Sequence, residues 1–203
     1  MFSNGKFLFK NLWLTLFLAL SAISVFSLSG TSAYSLNRLK EGQKLGPFSL
    51  KTLNGDNLDI KKYLNGKNVG IIFWDIPVVE NYIDYSKEAL ITLVKMQKEY
   101  KDKDLQIIAV YCPHGDERIT ENEINGIHKL IDELEISFPI LMDSELKMFD
   151  KLGVVAMPSF VLIDKSSTVK YILPGFPPYT AEKIIHKEIK YILNIDKEDN
   201  PKI

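Results

Sequence analysis

Apolar and polar positions fall into alternating blocks along this chain, and the block that organises the rest is Val69-Gly70-Ile71-Ile72-Phe73-Trp74. It is short, β-branched and aromatic, and Asn65-Gly66 precedes it. That pattern predicts a strand buried on both faces, in a sheet covered by helices. After the loop Asp75 to Tyr85, residues Ala89, Leu93, Met96 and Tyr100 recur at helical spacing, widened by Leu90 and Val94. They predict a helix over Lys87 to Lys103 that packs its stripe on the sheet. Leu105 to Cys112 reads as a second buried strand, and Ile124, Ile127, Ile131 and Leu134 mark a second amphipathic helix.

Upstream, Phe48 to Leu53 alternates apolar with polar, Asn54-Gly55 follows, and Leu58-Asp59-Ile60 resumes the alternation. That predicts an N-terminal β-hairpin, since Asn-Gly supplies the positive φ angles of a tight turn. Downstream come a short extended segment, Phe138 to Met142, and a short helix, Glu145 to Leu152, ending at Gly153. The run Val154 to Asp164 holds a further strand. Pro158 belongs at its start, because proline cannot donate to a central ladder. Val169 to Leu173 returns as an antiparallel partner, and Pro174-Gly175-Phe176-Pro177-Pro178 forms a stiff loop. Thr180 is expected to cap a last helix carrying Ile184, Ile185, Ile189, Ile192 and Leu193, with Glu182 in its favourable first turn.

Strands alternating with helices, then an antiparallel end, define an α/β fold: a central mixed β-sheet flanked by helices on both faces. With 203 residues, 46% of them hydrophobic, the chain buries one good core. Its net charge of −1 gives no electrostatic footprint for nucleic acid.

The N-terminus is a separate object. Lys6 and Lys10 precede an apolar run from Leu12 to Phe26, and the small residues Ser27 to Ala33 follow. This is the pattern of a secretory signal cut after Ala33. The other reading is an uncleaved anchor, because no charge lies between Lys10 and Arg38. Residues 11–29 would then tether the protein to a membrane. Either way the folded part is expected across the cytoplasmic membrane: periplasmic, lumenal or anchored facing outward. The expected organisation is 1–33 signal or anchor, 34–44 linker, 45–195 folded domain and 196–203 loose tail.

The loop after the central strand sits at the carboxyl end of the sheet, where open α/β folds place their sites and the next helix offers its positive end. Trp74, Tyr82 and Tyr85 could present aromatic surface there, and Asp75, Glu80 and Asp84 place carboxylates near the helix N-terminus. The plain reading is that the acids complement the helix dipole and the aromatics fill space. The sharper one is a binding groove between this loop, Met157-Pro158 and Phe176-Pro177-Pro178-Tyr179. Cys112 is the single cysteine, so no disulfide forms within the chain. Pro113-His114 follows it, and a Cys–His pair can activate a thiol or hold a metal. Free cysteines usually behave instead as small core residues. His128 and His186 fall on helix patterns with no reason to converge, so no metal site is expected, and no cofactor.

Leu45-Gly46-Pro47-Phe48-Ser49-Leu50, Asn54-Gly55, Leu64-Asn65-Gly66-Lys67 and Ile71-Ile72-Phe73-Trp74 together resemble the opening of the thioredoxin-like superfamily. The branch is that of exported thiol–disulfide oxidoreductases and their relatives, the alkyl hydroperoxide reductase and thiol-specific antioxidant group. Leu152 to Asp164 is similar to that family's segment around its cis-proline, and the similarity spans about Leu45 to Leu193. It implies a thioredoxin-like fold, a cis Met157–Pro158 bond, and an edge at which extended polypeptide pairs with the segment before the proline.

The departure is as informative. The family's active members carry Cys-x-x-Cys after the central strand. Counting forward from Phe73-Trp74 puts that pair at Val78 and Asn81, and counting back from Glu88 puts it at Tyr82 and Tyr85. No cysteine occurs from Met1 to Tyr111, so the family's dithiol and peroxidase chemistry has no thiolate in that turn. The resulting expectation is a protein- or peptide-binding module using Trp74, Asp75, Tyr82, Tyr85, Met157 and Pro158. The alternatives are a thiol oxidoreductase or antioxidant using Cys112 alone, and a structural subunit of a membrane-associated complex.

Overall fold

The computed structural model describes residues 38–64, 66–76, 84–113, 119–177 and 179–195. The expected signal or anchor and the tail from 196 lie outside the described residues, as do Val78, Glu80, Asn81, Tyr82 and His114. Seven strands form one sheet: β1 Ser49–Thr52, β2 Asn57–Asp59, β3 Asn68–Trp74, β4 Leu105–Tyr111, β5 Ile140–Met142, β6 Ser159–Ile163 and β7 Val169–Leu173. Its order is β2-β1-β5-β4-β3-β6-β7. β3, β4 and β5 run parallel, while β6, β7, β1 and β2 add antiparallel flanks. The sheet is mixed, as the alternation of elements required.

Among the described residues five helices cover it: α1 Ile60–Leu64, α2 Tyr85–Glu99, α3 Glu121–Leu134, α4 Lys147–Lys151 and α5 Ala181–Ile192. One face of the sheet, with Ile72, Trp74, Ala109 and Tyr111, packs against Leu90, Leu93 and Met96 of α2, Ile127 of α3 and Ile185 and Ile189 of α5. The other face, with Ile71, Phe73, Val110 and Cys112, packs against Ile60 and Leu64 of α1 and Met148 of α4. Every residue of β3 is buried, which is why Val69 to Trp74 is an unbroken apolar run. Gly70 belongs to that run because a Cβ there would lie 3.0 Å from the Phe160 ring. A side chain at 70 would displace a core aromatic.

Three expectations are corrected. Ile60 does not continue the hairpin but opens α1, because Asp59 accepts hydrogen bonds from the amides of Lys61 and Lys62 and starts a helical turn. The helix after the central strand ends at Glu99 rather than Lys103. The chain leaves helical geometry at Tyr100, where φ is −105° and ψ 18°. Thr180 stands before α5 without capping it through its side chain. Its backbone is already helical, and its hydroxyl donates to the Pro177 carbonyl at 3.5 Å.

The lead-in from Arg38 is ordered against the domain. Gly42 N–H donates to Val169 O, Val169 N–H returns to Gln43 O, and Leu45 N–H donates to Ser167 O. The Glu41 carboxylate accepts from Ile172 N–H at 3.1 Å. The outer side of β7 is thereby occupied by the chain's own backbone and a carboxylate. Among the described residues no helix is long and apolar enough to cross a membrane.

Candidate functional site

The sheet's register brings the carboxyl ends of β3, β4 and β5 and the start of β6 to one edge. Trp74 lies opposite Tyr111, Tyr111 opposite Met142, and Phe73 opposite Ser159. The loop after β7 returns to the same edge, since Leu173 pairs with Phe160. The N-terminus of α2 arrives there too. Asp84 accepts from Lys87 N–H at 2.8 Å as its N-cap, and Asp75 accepts from the Ser86 hydroxyl at 2.7 Å. These two acids serve the helix start, which is the plain reading of that cluster.

Trp74 does not present aromatic surface; it is wholly buried. Its ring stands edge-on to Tyr111, with centroids 5.2 Å apart. Strand parity turns it inward, onto the face covered by α2 and α5. Its indole N–H has no hydrogen-bond partner among the described residues. The Tyr111 hydroxyl donates to Glu123, whose carboxylate also completes the capping box of α3 with Thr120. Burial, then the Glu123 carboxylate, pushes the Tyr111 phenol far above its ordinary range. Tyr85, the first residue of α2, is half-buried.

Cys112 is also wholly buried, and on the opposite face from Trp74. Its amide donates to Trp74 O at 2.9 Å, which continues the β3–β4 ladder by one step. Burial first, then the carboxylates of Asp143 and Asp75, pushes its thiol far above the ordinary range, so the nucleophilic thiolate is suppressed. The sequence alone left open whether Cys112 shares a cleft with Trp74 and Pro158. The sheet separates it from Trp74.

Asp143 went unnoticed in the sequence. It is 1% exposed and accepts from Met148 N–H at 2.9 Å and Phe149 N–H at 2.8 Å, fixing the start of α4. The signal for it was an Asp a few residues ahead of a short helix pattern. Burial raises its pKa, and the amides of Phe149, Met148 and Lys147 only partly offset this. The ionised form is therefore penalised in the fold, and the domain gains stability as pH falls from neutral through the raised pKa toward the unfolded value. Asp143→Ala is expected to cost about 2 kcal/mol by stranding two buried amides, and Asp143→Asn clearly less. Urea midpoints at pH 7 check the order.

Met157 and Pro158 follow an exposed pair, Val155 and Ala156. The Met157–Pro158 bond is cis. Pro158 is buried and Met157 half-buried. Neither the N–H nor the C=O of Met157 makes a hydrogen bond among the described residues. Met157 packs on the face of the sheet that holds Cys112, and Phe176, half-buried, packs on the face covered by α2 and α5, in a loop whose turn at Gly175 has φ 72° and so suits glycine. Phe176 also lines an open groove of about 460 Å³ between α2 and α5, with Ile91, Thr92, Tyr179 and His186. Of the expected binding residues, Asp75 holds Ser86 at the start of α2, Tyr85 opens α2, Met157 and Pro158 directly precede β6, and Trp74 is buried. Among the described residues no three His, Cys, Asp or Glu side chains converge on a metal-sized site.

A mixed sheet with parallel β3–β4–β5, a cis-proline at the start of β6 and helices on both faces is the thioredoxin-like fold. Residues 42–172 match the model of the AhpC/TSA family, and the chain belongs to that family. Among curated proteins it is 26% identical over 172 residues to the thiol-disulfide oxidoreductase ResA of Halalkalibacterium halodurans, covering 82% of this chain and 88% of that one. It is 28% identical over 158 residues to the thioredoxin-like protein YneN of Bacillus subtilis, covering 78% and 81%. Among solved structures, the pneumococcal exposed lipoprotein thioredoxin Etrx1 of Streptococcus pneumoniae superposes with a TM-score of 0.55 at 23% identity, covering 71% of this chain and 99% of that one.

Proposed function

We propose that this is an exported thioredoxin-like protein that has given up dithiol exchange and binds extended polypeptide at the sheet edge its oxidoreductase relatives use. The observation that carries the reading is a Met157 backbone that makes no hydrogen bond among the described residues, in a segment tied through Ser159 to the loop that carries Phe176, in a chain whose sole cysteine is wholly buried. An N–H and C=O left open beside an apolar wall are what strand addition requires: main-chain bonds for affinity and a pocket for selectivity. The oxidoreductase alternative loses its only nucleophile to burial. Export rests on Lys6, Lys10, the apolar run after them and the small residues to Ala33. The family resemblance and the exposed-lipoprotein relative agree with it.

Reduced, carboxymethylated lactalbumin, an unfolded chain without free thiols, is a suitable probe. The protein is expected to bind it reversibly, and Phe176→Ala to weaken binding about tenfold, the loss of one aromatic anchor. In parallel the protein is expected to leave the rate of insulin reduction by dithiothreitol unchanged. No binding, or binding indifferent to Phe176, overturns the edge reading. Accelerated insulin reduction overturns the loss of redox chemistry.

A further inference from the structure

Two walls frame the proposed edge: the segment Val155–Pro158 before β6, and the loop Pro174–Pro177 after β7. A single buried hydroxyl joins them. Ser159, the first residue of β6, is wholly buried. Its Oγ donates to Ala156 O at 2.6 Å and accepts from Gly175 N–H at 3.1 Å. Residue 159 is also held by the sheet, opposite Phe73 of the central strand.

We propose that Ser159 is a positioning residue, a joint that fixes the gap between the Met157 wall and the Phe176 wall and makes the two move together; this deepens the binding reading and rests on it. A serine hydroxyl has one proton to give and lone pairs to receive. Here the donor is spent on one wall and an acceptor on the other. Each bond polarises the hydroxyl for the other, so the pair is stronger than its members. The carbonyl it engages is the one immediately before Met157, whose own N–H and C=O make no hydrogen bond among the described residues. The amide it engages is immediately before Phe176. A ligand that lifts the Phe176 ring therefore pulls, through Gly175 and Ser159, on the backbone that pairs with it. No local feature of Pro158-Ser159-Phe160 announces this role, because the second partner lies 16 residues away.

Amide hydrogen exchange on the unliganded protein tests the joint without relying on any ligand. In Ser159→Ala the Gly175 amide, which loses its acceptor, is expected to exchange about tenfold faster, while Ile71 and Ile72 in the central strand keep their rates. Ser159→Cys, nearly the same size with a weak S–H, should fall between, and controls for a packing defect. Unchanged exchange at Gly175 overturns the proposal. So does a uniform acceleration that includes Ile71 and Ile72, which would make Ser159 an ordinary core residue. With lactalbumin as probe, Ser159→Ala is expected to bind about fivefold more weakly. Undiminished binding by a variant with loosened walls overturns the positioning role and leaves the edge reading standing. Failure of the wild type to bind overturns the edge reading, and exchange alone then decides the joint.

Discussion

Treated with an aromatic disulfide reagent at pH 8, the folded protein will leave Cys112 unmodified, at a rate at least about a thousandfold below that of a free thiol, and will be labelled at once in guanidinium chloride. The thiol is wholly buried, so reagent reaches it only through opening of the fold, and the unfolded fraction of a stable protein is on the order of one part in a thousand or less. The thiolate is disfavoured further by burial and by the Asp143 and Asp75 carboxylates. Here the sign matters. Folded Cys112 keeps its proton at a pH where the unfolded chain, with a thiol pKa near about 8.5, releases it. The unfolded state then binds fewer protons, and stability falls by about 1.4 kcal/mol per pH unit above roughly 8.5. Cys112→Ala should flatten the profile between that point and the onset of tyrosine ionisation near about 10. Rapid labelling of the native protein would return Cys112 to the list of reactive groups.

The second large effect concerns Trp74. Trp74→Ala removes a wholly buried indole and its edge contact with Tyr111, and is expected to cost about 3–5 kcal/mol. For a domain of this size that lowers the melting temperature by roughly 10 °C. Trp74→Phe is expected to cost under about 1.5 kcal/mol. It keeps an aromatic ring against Tyr111 and sheds an indole N–H that is buried without an acceptor. Urea unfolding of both variants checks the pair. A phenylalanine variant as unstable as the alanine one would mean that the indole nitrogen has a partner in solution.

These two residues also show how far the sequence could be read. The apolar runs of β3 and β4 and the stripe of α2 gave the architecture directly, because periodicity reports burial. The mistaken expectation for Trp74 came from its place at the end of such a run, where solvent seemed near. Its orientation follows from parity within β3 and from Tyr111 standing opposite, and that pairing joins residues far apart in the chain. Thr180 failed for the reverse reason: the local pattern was correct for a cap, but the backbone there had already turned helical. Asp84 was expected only as a carboxylate near the helix N-terminus, and there it caps α2, a local event. Ser159 was invisible because a hydroxyl is read from its partners, and its second partner, Gly175, is set by the fold rather than by spacing, whereas Asp143 had a local signal in the short helix pattern that follows it.

The lead-in has a consequence for how the molecule behaves when crowded. A sheet ends in rows of open amides and carbonyls that can template the growth of fibrils. Beside β7 the backbone of Gly42 and Gln43 and the side chain of Glu41 already fill those positions. The opposite rim is β2, only Asn57–Asp59, with acidic residues at 56 and 59. Shortness and charge discourage stacking there. Loss of the residues around Glu41 would bare the longer rim, so a protein trimmed to about residue 46 should form thioflavin-positive aggregates at concentrations where the full chain stays clear.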